Sequence, residues 1–326
     1  MTAGHRSAIM ILEMSETPNQ SHLRSWIFLF ICNLMWALQF TCIKLVQDQV
    51  GSLFTVWGPM TLATILLFPL ILRERKASPG PHRRSDILLF LILALVGVMP
   101  GQLLITYGTR MSTASNAAII MLAFPVCTAV FAFLFLRERM TPVRWFSFAV
   151  ALVGVLMCSQ PDLHNLNFSA AFLVGNLLIL TGVLGNSFYN SYGKKVMERY
   201  SPMEMLFYTY AAMFVLMTPL VLVQERDVFW RIPQFTSTTW LGLILLTVIH
   251  NFLSMVLFLK ALHRVDATQA ALSNYLITFF GVPIAAIWLG ERLHAATVTG
   301  GLLVLASTLL ITLWDGRRKM PLEEAA

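Results

Sequence analysis

Charged side chains are scarce in this chain. Asp, Glu, Lys and Arg make up only 12% of its 326 residues, whereas soluble domains average about 25%. Hydrophobic residues account for 57%, and the mean hydropathy is +0.71. This balance excludes a soluble globular protein and indicates an integral membrane protein. The net charge of +7 does not indicate nucleic-acid binding, because the basic residues cluster in short loops between apolar runs.

The chain also lacks the residue patterns that bind metals or carry catalysis. Its four cysteines fall inside apolar runs without CxxC spacing, so we expect buried thiols that act as small hydrophobic groups. They are Cys32, Cys42, Cys127 and Cys158. No GxxxxGKS or GxxxxGKT sequence occurs, which argues against ATP as the direct energy source. No cluster of His, Asp and Glu suggests a membrane enzyme, so we expect no cofactor, no metal and no catalytic residue.

What the chain does contain is a series of ten apolar segments, each close to the ~20 residues that cross a bilayer as a helix. Polar turns separate them, and the long loop 224–239 leaves room for a short surface element. We therefore predict an all-α, polytopic membrane protein with ten transmembrane helices. The predicted spans are 26–46, 53–72, 87–109, 112–136, 143–160, 170–193, 203–223, 240–262, 266–289 and 295–314.

The distribution of basic residues predicts how these helices are oriented. With the N-terminus inside, 18 of the 23 Lys and Arg residues fall on the cytoplasmic side, as the positive-inside rule requires. We therefore predict cytoplasmic tails at 1–25 and 315–326 and a location in the cytoplasmic (inner) membrane. The first tail offers Met14 as an alternative start to Met1, and the sequence leaves the oligomeric state open.

One stretch of sequence occurs twice, half a chain apart. The segment 113–139 recurs as 266–292, an offset that places Glu138 on Glu291 and several alanines on alanines. Duplication of an ancestral unit explains such self-similarity. Because each copy would contain five helices, an odd number, the second must enter the membrane upside down. Inverted repeats of this kind are typical of transporters. The predicted repeats span 26–160 and 170–314.

These features together resemble the EamA-type members of the drug/metabolite transporter superfamily. The resemblance covers roughly residues 26–314 and includes ten helices in two halves, Ala-rich fourth and ninth segments, and the closing sequences LRER and LGER. The first segment carries Trp36, Ala37 and Lys44, which match the opening pattern of the family. The chain departs from the family in its second copy, where the partner position of Pro125 is occupied by Thr278.

The resemblance implies a central cavity between the two halves, which opens to alternate sides of the membrane. It also implies that the substrate is a small metabolite, an amino acid or a related amphipathic compound, and that the direction is export. Uptake by the same fold is the alternative. A membrane enzyme or a receptor is disfavoured, because the sequence offers neither an acidic interfacial cluster nor a soluble domain.

Polar side chains inside the apolar segments are the candidates for substrate contact. A polar group at mid-bilayer is costly, so it faces either a helix–helix interface or a water-filled cavity, and the sequence leaves both open. Trp36 is the one tryptophan at mid-span, and it shares a helical stripe with polar neighbours. The candidate substrate-binding residues are Asn33, Trp36, Phe40, Lys44, Gln102, Thr106, Tyr107, Asn116, Asn186, Asn190, His250, Asn251, Ser254, Ser273, Asn274 and Tyr275.

Several charged or titratable residues have two explanations. Lys44 lies near a segment end, where its ammonium group either snorkels to the surface or attracts a substrate carboxylate. His250, the only histidine deep in a segment, either couples transport to a proton or stays neutral and bonds a neighbouring helix. Glu138 and Glu291 form interfacial charge pairs or brackets for helix ends. No Asp or Glu lies at mid-segment, which argues against a carboxylate proton relay.

Overall fold

The computed structural model describes residues 18–77, 86–136, 141–157, 170–197, 199–262 and 273–323. Regular structure in these ranges is helical throughout, without a strand, which confirms the all-α prediction. The main helices are α1 Pro18–Val46, α2 Ser52–Ala77, α3 Asp86–Met111, α4 (Ala114–Ile120, the 3-10 turn Met121–Ala123 and Phe124–Leu136), α5 Pro142–Met157, α6 Ala170–Val196, α7 Pro202–Gln224, α8 Ser237–Leu262, α9 Tyr275–Leu289 and α10 Ala295–Glu323.

Six helices in the described ranges are long and apolar enough to cross a bilayer. They contain the spans Arg24–Val46, Ser52–Arg73, Asp86–Met111, Ala170–Gly193, Pro202–Gln224 and Ser237–Leu262. The helices α4, α5, α9 and α10 contribute shorter apolar stretches. The protein is therefore a multi-pass membrane protein.

Helices extend into both predicted tails. Helix α1 begins at Pro18, and α10 continues to Glu323. Pro18 fits the first turn of α1, because the N–H group that proline lacks has no helical partner there. The predicted loop 224–239 contains a short helix, Val228–Arg231. The first residues of the predicted segment 266–289 lie outside the described residues.

Two of the long helices are widened in their middle. Helix α3 has π-type turns at Leu93–Val98 and Pro100–Leu104, where Pro100 removes one backbone donor. Helix α8 has π-type turns over Leu245–Leu253 without a proline. There the Asn251 side chain donates to the Leu246 carbonyl at 2.7 Å, which satisfies an acceptor inside the widened turn. Such π-type turns occur frequently at functional sites.

Small residues allow two pairs of helices to approach closely. A Cβ at Gly108 in α3 would lie 2.4 Å from the carbonyl oxygen of Gly175 in α6. A Cβ at Gly154 in α5 would lie 2.6 Å from the carbonyl oxygen of Gly300 in α10. Backbone contact of this kind is how helices associate in a bilayer, where lipid competes for every apolar face.

Candidate substrate cavity

A small cavity lies at the centre of the bundle. Its volume is about 70 Å³, and seven helices, α1, α3, α4, α6, α7, α8 and the start of α9, contribute to its wall. Both π-type segments face it, α3 through Val98 and Gln102 and α8 through His250 and Asn251. The lining residues are Trp36, Gln39, Phe40, Val98, Gln102, Met121, Phe124, Asn186, Tyr189, Asn190, Tyr210, His250, Asn251, Met255, Phe258, Asn274 and Ile277.

Half of the candidate substrate-binding residues meet in this wall. They come from five helices that are distant in sequence, so their meeting follows from the packing of the bundle. They are Trp36, Phe40, Gln102, Asn186, Asn190, His250, Asn251 and Asn274.

Other candidates participate in helix packing. Asn33 is fully buried and donates to the Leu29 carbonyl at 2.7 Å and to Ser273 Oγ at 2.9 Å, which links α1 to the residues before α9. The Ser254 hydroxyl donates to the His250 carbonyl within α8. These three side chains lie outside the lining of the cavity.

The remaining candidates lie beside the cavity or near the helix ends. Thr106 lines a smaller pocket next to the cavity and donates to the Gln102 carbonyl at 2.8 Å. Tyr107 is 36% exposed. Lys44 donates to the Arg110 carbonyl at 3.2 Å. Asn116 and Tyr275 lie outside the lining of the cavity. The Asn116 amide donates to Ser112 Oγ at 3.2 Å, and Tyr275 is the first residue of α9.

The cavity also contains nine residues that sequence reasoning missed, and four of them are aromatic. The Trp36 ring packs on Phe258 with 4.7 Å between centroids. Tyr210 donates its hydroxyl to the Asn251 carbonyl at 3.1 Å. Gln39 donates its amide to Gln102 Oε1 at 3.0 Å. Gln39 follows Trp36 by three residues, so its helical position was a usable signal. The aromatic residues gave none, because the chain has aromatic side chains on its core and lipid faces alike.

Three polar atoms in the wall have no hydrogen-bond partner among the described residues. They are Nδ1 of His250, Oδ1 of Asn274 and the hydroxyl oxygen of Tyr189, and all three side chains are buried. A buried polar atom without a partner costs about 1–3 kcal/mol, so each of these atoms would gain from a hydrogen bond to water or to a bound solute. The lining formed by the described residues carries no Asp, Glu, Lys or Arg. The site is therefore polar but uncharged.

Contacts between the two halves close one end of the bundle, which we call the closed end. Glu291, after α9, accepts from the backbone N–H groups of Ala114 and Ser115 at 2.9 Å each, so that it caps α4. This is the helix-end bracket that was one of the two roles predicted for Glu291. A carboxylate at a helix N-terminus is stabilised by the helix dipole and by charge-assisted hydrogen bonds. Its sequence partner Glu138 lies outside the described residues.

A second carboxylate does the same for α2. Glu225, after α7, accepts from the N–H groups of Leu53 at 3.0 Å and Phe54 at 2.8 Å. The preceding residue Gly51 makes room for it, because a Cβ at Gly51 would lie 2.2 Å from the carboxyl carbon of Glu225. A side chain at position 51 would therefore displace the Glu225 carboxylate from this cap.

Gln49 adds a third link at the closed end. Its Oε1 accepts from the N–H of Thr236 at 2.8 Å and from the hydroxyl of Thr239 at 2.6 Å, at the start of α8. Arg110 donates to Ser52 Oγ at 3.0 Å and orders the turn before α2. All three links join the turns between α1 and α4 to the turns between α7 and α10.

The opposite end carries one ionic contact in the described ranges between helices of the two halves. The hydroxyl of Tyr200 donates to Asp86 Oδ2, and Arg199 lies 3.4 Å from the same oxygen. Burial, followed by the hydrogen bond to Asp86, raises the pKa of Tyr200 to about 12. Tyr200 is therefore protonated at neutral pH and remains a donor to the carboxylate.

A helical bundle that crosses a membrane several times and encloses an uncharged polar cavity defines a multi-pass membrane protein of the transporter class. The chain belongs to the EamA-like transporter family, which matches it twice, at residues 23–160 and 173–313. The predicted family resemblance is confirmed.

Curated relatives carry transporter names. A protein of Streptantibioticus cattleyicolor, named "Probable terminal-alkyne amino-acid exporter", is 26% identical over 85% of this chain and 89% of its own length. The "S-adenosylmethionine uptake transporter" of Rickettsia conorii is 25% identical over 82% of this chain and 85% of its own length. A solved crystal structure superposes with a TM-score of 0.61 at 14% identity, over 89% of this chain and 98% of that chain, which shows a shared fold.

Proposed function

We propose that this protein is a secondary transporter that exports a small amphipathic metabolite, an amino acid or a related compound, by alternating access. The observation that carries the proposal is the central cavity, which combines amide groups with aromatic walls and lies between helices of both halves. The amino-acid exporter name of the Streptantibioticus relative supports the substrate class and the direction.

The pairing of helices supports two equivalent halves, α1–α5 and α6–α10. Helix α1 packs on α8 and α9, and α6, its counterpart in the second half, packs on α3 and α4. Three other equivalent pairs, α2 with α7, α4 with α9 and α5 with α10, contact each other directly. Exchanging the halves therefore maps these pairings onto one another. The two separate matches to the family, one in each half, agree with this arrangement.

The closed end supports an inverted relation between the halves. Glu225 at the end of α7 contacts the beginning of α2, and Glu291 after the end of α9 contacts the beginning of α4. Equivalent helices therefore run in opposite directions. We infer ten membrane crossings in two inverted repeats. With both termini in the cytoplasm, as the basic residues favour, the closed end faces the outside of the inner membrane.

The size of the cavity argues for a conformational cycle. At about 70 Å³ it is well below the ~300–1,000 Å³ of typical small-molecule pockets. A metabolite therefore enters only when the halves move apart. Opening of one end while the links at the closed end hold is alternating access, and inverted repeats allow the two ends to exchange roles.

Uptake is a second candidate direction, favoured by the name of the Rickettsia relative. Export and uptake are distinguished by the growth of a strain that overproduces the protein, measured in the presence of toxic amino-acid analogues. Export makes the strain more resistant than the parent, and uptake makes it more sensitive. Unchanged sensitivity across amino-acid analogues, with the protein present in the membrane, would contradict the proposed substrate class.

Flux through the cavity depends on its aromatic wall. We expect Trp36→Ala to lower efflux of a transported amino acid by roughly two- to tenfold, because it removes the ring contact with Phe258 and one face of the cavity. Trp230→Ala is the matched control, since Trp230 is 83% exposed on the surface helix. Efflux is measured from preloaded cells at equal membrane levels. Equal efflux in Trp36→Ala and the parent would remove Trp36 from the pathway.

A further inference from the structure

The polar part of the cavity wall is formed by neutral groups. Besides His250 and two tyrosines, it consists of the side-chain amides of Gln39, Gln102, Asn186, Asn190, Asn251 and Asn274. Two described charges on the helices of the wall, Lys44 and Arg110, are engaged at the closed end, where Lys44 binds the Arg110 carbonyl and Arg110 binds Ser52. A third, Lys260, is two residues from Phe258 and exposed.

This composition sets a rule on the net charge of the solute. Burial of a charge that has no counter-charge costs far more than burial of a paired one. A zwitterion brings its own counter-charge, and amide groups, which donate and accept at once, can solvate both of its ends. A cation or an anion of the same size would remain uncompensated in this wall.

One of the three unpartnered atoms indicates what the solute presents to the wall. Oδ1 of Asn274 is an acceptor without a donor among the described residues. A primary ammonium group supplies such a donor. Trp36 and Phe258 form an aromatic surface in the same wall, next to the lining residue Met255. An apolar side chain fits that surface.

We propose that the cavity selects solutes of zero net charge that carry a primary ammonium group, held by Asn274, and an apolar side chain, packed on Trp36 and Phe258. This inference rests on the proposed function, and it makes Asn274 a specificity-determining residue. It sets the substrate apart from net-positive metabolites.

Three probes of one carbon skeleton test the rule on the unmodified protein. L-Leucine is a zwitterion, 3-methylbutylamine is the cation without the carboxylate, and 4-methylpentanoate is the anion without the ammonium group. Their binding to the full-length protein in nanodiscs is measured by isothermal titration calorimetry. We expect leucine to bind about tenfold or more tightly than either other probe, since each of them leaves a charge unpaired.

The outcomes separate this inference from the proposed function. Stronger or equal binding of 3-methylbutylamine or 4-methylpentanoate would overturn the charge rule and leave an amino-acid-like transporter intact. Binding of none of the three, by protein that is monodisperse in nanodiscs, would overturn both.

Variants of Asn274 test the assigned residue. Asn274→Leu removes the acceptor and should weaken leucine binding about tenfold, while Asn274→Asp supplies a counter-charge and should bring 3-methylbutylamine to or above the affinity of leucine. Thr278→Ala is the control, because Thr278 lies one turn further along α9 and donates to the Ala118 carbonyl in α4. If Asn274→Asp folds and still prefers leucine over the amine as the parent does, Asn274 does not hold the ammonium group.

Discussion

At the scale of single residues, the cavity separates side chains that face a solute from side chains that hold helices together. Asn33 and Asn274 are both buried amides of apolar segments, yet the Asn33 amide donates to Leu29 and Ser273 outside the lining of the cavity, whereas Asn274 lines the cavity. Sequence alone treats the two alike. The difference arises from three-dimensional packing, which decides whether a polar group meets another helix or an empty space.

His250 is the only histidine in the cavity wall that the described residues form. Its ring is buried in the cavity wall, and Nδ1 has no hydrogen-bond partner in the described parts of the chain. No acidic side chain of the described residues shares that wall. We therefore expect His250 to act as a neutral hydrogen-bonding group, and the proton-coupled role stays the alternative prediction.

Two substitutions distinguish these roles. His250→Gln keeps a neutral polar side chain, so we expect efflux within about threefold of the parent and an unchanged pH profile. His250→Leu removes the polar group and should lower efflux by roughly tenfold, the equivalent of one lost hydrogen bond in a buried site. Efflux is measured between pH 6 and 8. If His250→Gln shows reduced efflux that no longer varies with pH, this would instead identify His250 as a proton carrier.

At the scale of elements, the caps of α2 and α4 couple the two halves. Each cap combines a carboxylate from the second half with the free N–H groups of a helix start in the first half. These bonds are lost when the halves separate at the closed end. Glu225 and Glu291 therefore stabilise the state that is closed at that end, and substitutions there shift the population of states rather than the cavity itself.

Gly51→Ala tests this coupling with one methyl group. Its Cβ would lie 2.2 Å from the carboxyl carbon of Glu225 and displace the cap. We expect the fraction of molecules that are open at this end to rise by up to about tenfold. This corresponds to a loss of roughly 1.4 kcal/mol in the stability of the closed state. Ile277→Cys in the cavity wall, in a background without the native cysteines, reports opening through its rate of reaction with a membrane-impermeant thiol reagent applied from outside.

Gly193→Ala serves as the matched control for this substitution. Its added methyl group meets only the flexible end of Met205, at 3.2 Å, near the start of α7, whereas Glu225 follows the end of that helix. Glu225→Gln should reproduce the effect of Gly51→Ala, since it weakens the same charge-assisted hydrogen bonds. Equal labelling rates in Gly51→Ala, Gly193→Ala and the parent would show that the Glu225 cap does not control the closed end.

Element positions were predictable from the sequence because a bilayer imposes one requirement on every span. Each predicted segment overlaps a helix, and Ser52–Ala77 covers the predicted 53–72 entirely. Local chemistry within the helices was less predictable. The π-type turns of α3 include Pro100, but α8 has π-type turns without a proline, where the Asn251 side chain bonds the Leu246 carbonyl. A cap such as Glu225 joins residues about 170 apart in sequence, so no local pattern announces it.

At the scale of the whole molecule, the arrangement of the repeats decides the mechanism. Two inverted halves can exchange conformations and so open the cavity to either side, whereas two parallel halves would require a different cycle. The loops that follow the fourth and the ninth predicted segments carry Arg139 and Arg292 in equivalent places. Inversion predicts that these two loops lie on opposite sides of the membrane.

Cysteine labelling tests that arrangement directly. Met140→Cys and His294→Cys place single thiols in the two loops without removing the arginines that orient the helices. In intact cells we expect a membrane-impermeant maleimide to label His294→Cys and to spare Met140→Cys, because only the second loop is outside. Everted vesicles should give the reverse pattern, which controls for thiols that are merely buried. Labelling of both positions from the same side would contradict inversion, and with it the exchange of conformations that links the central cavity to transport.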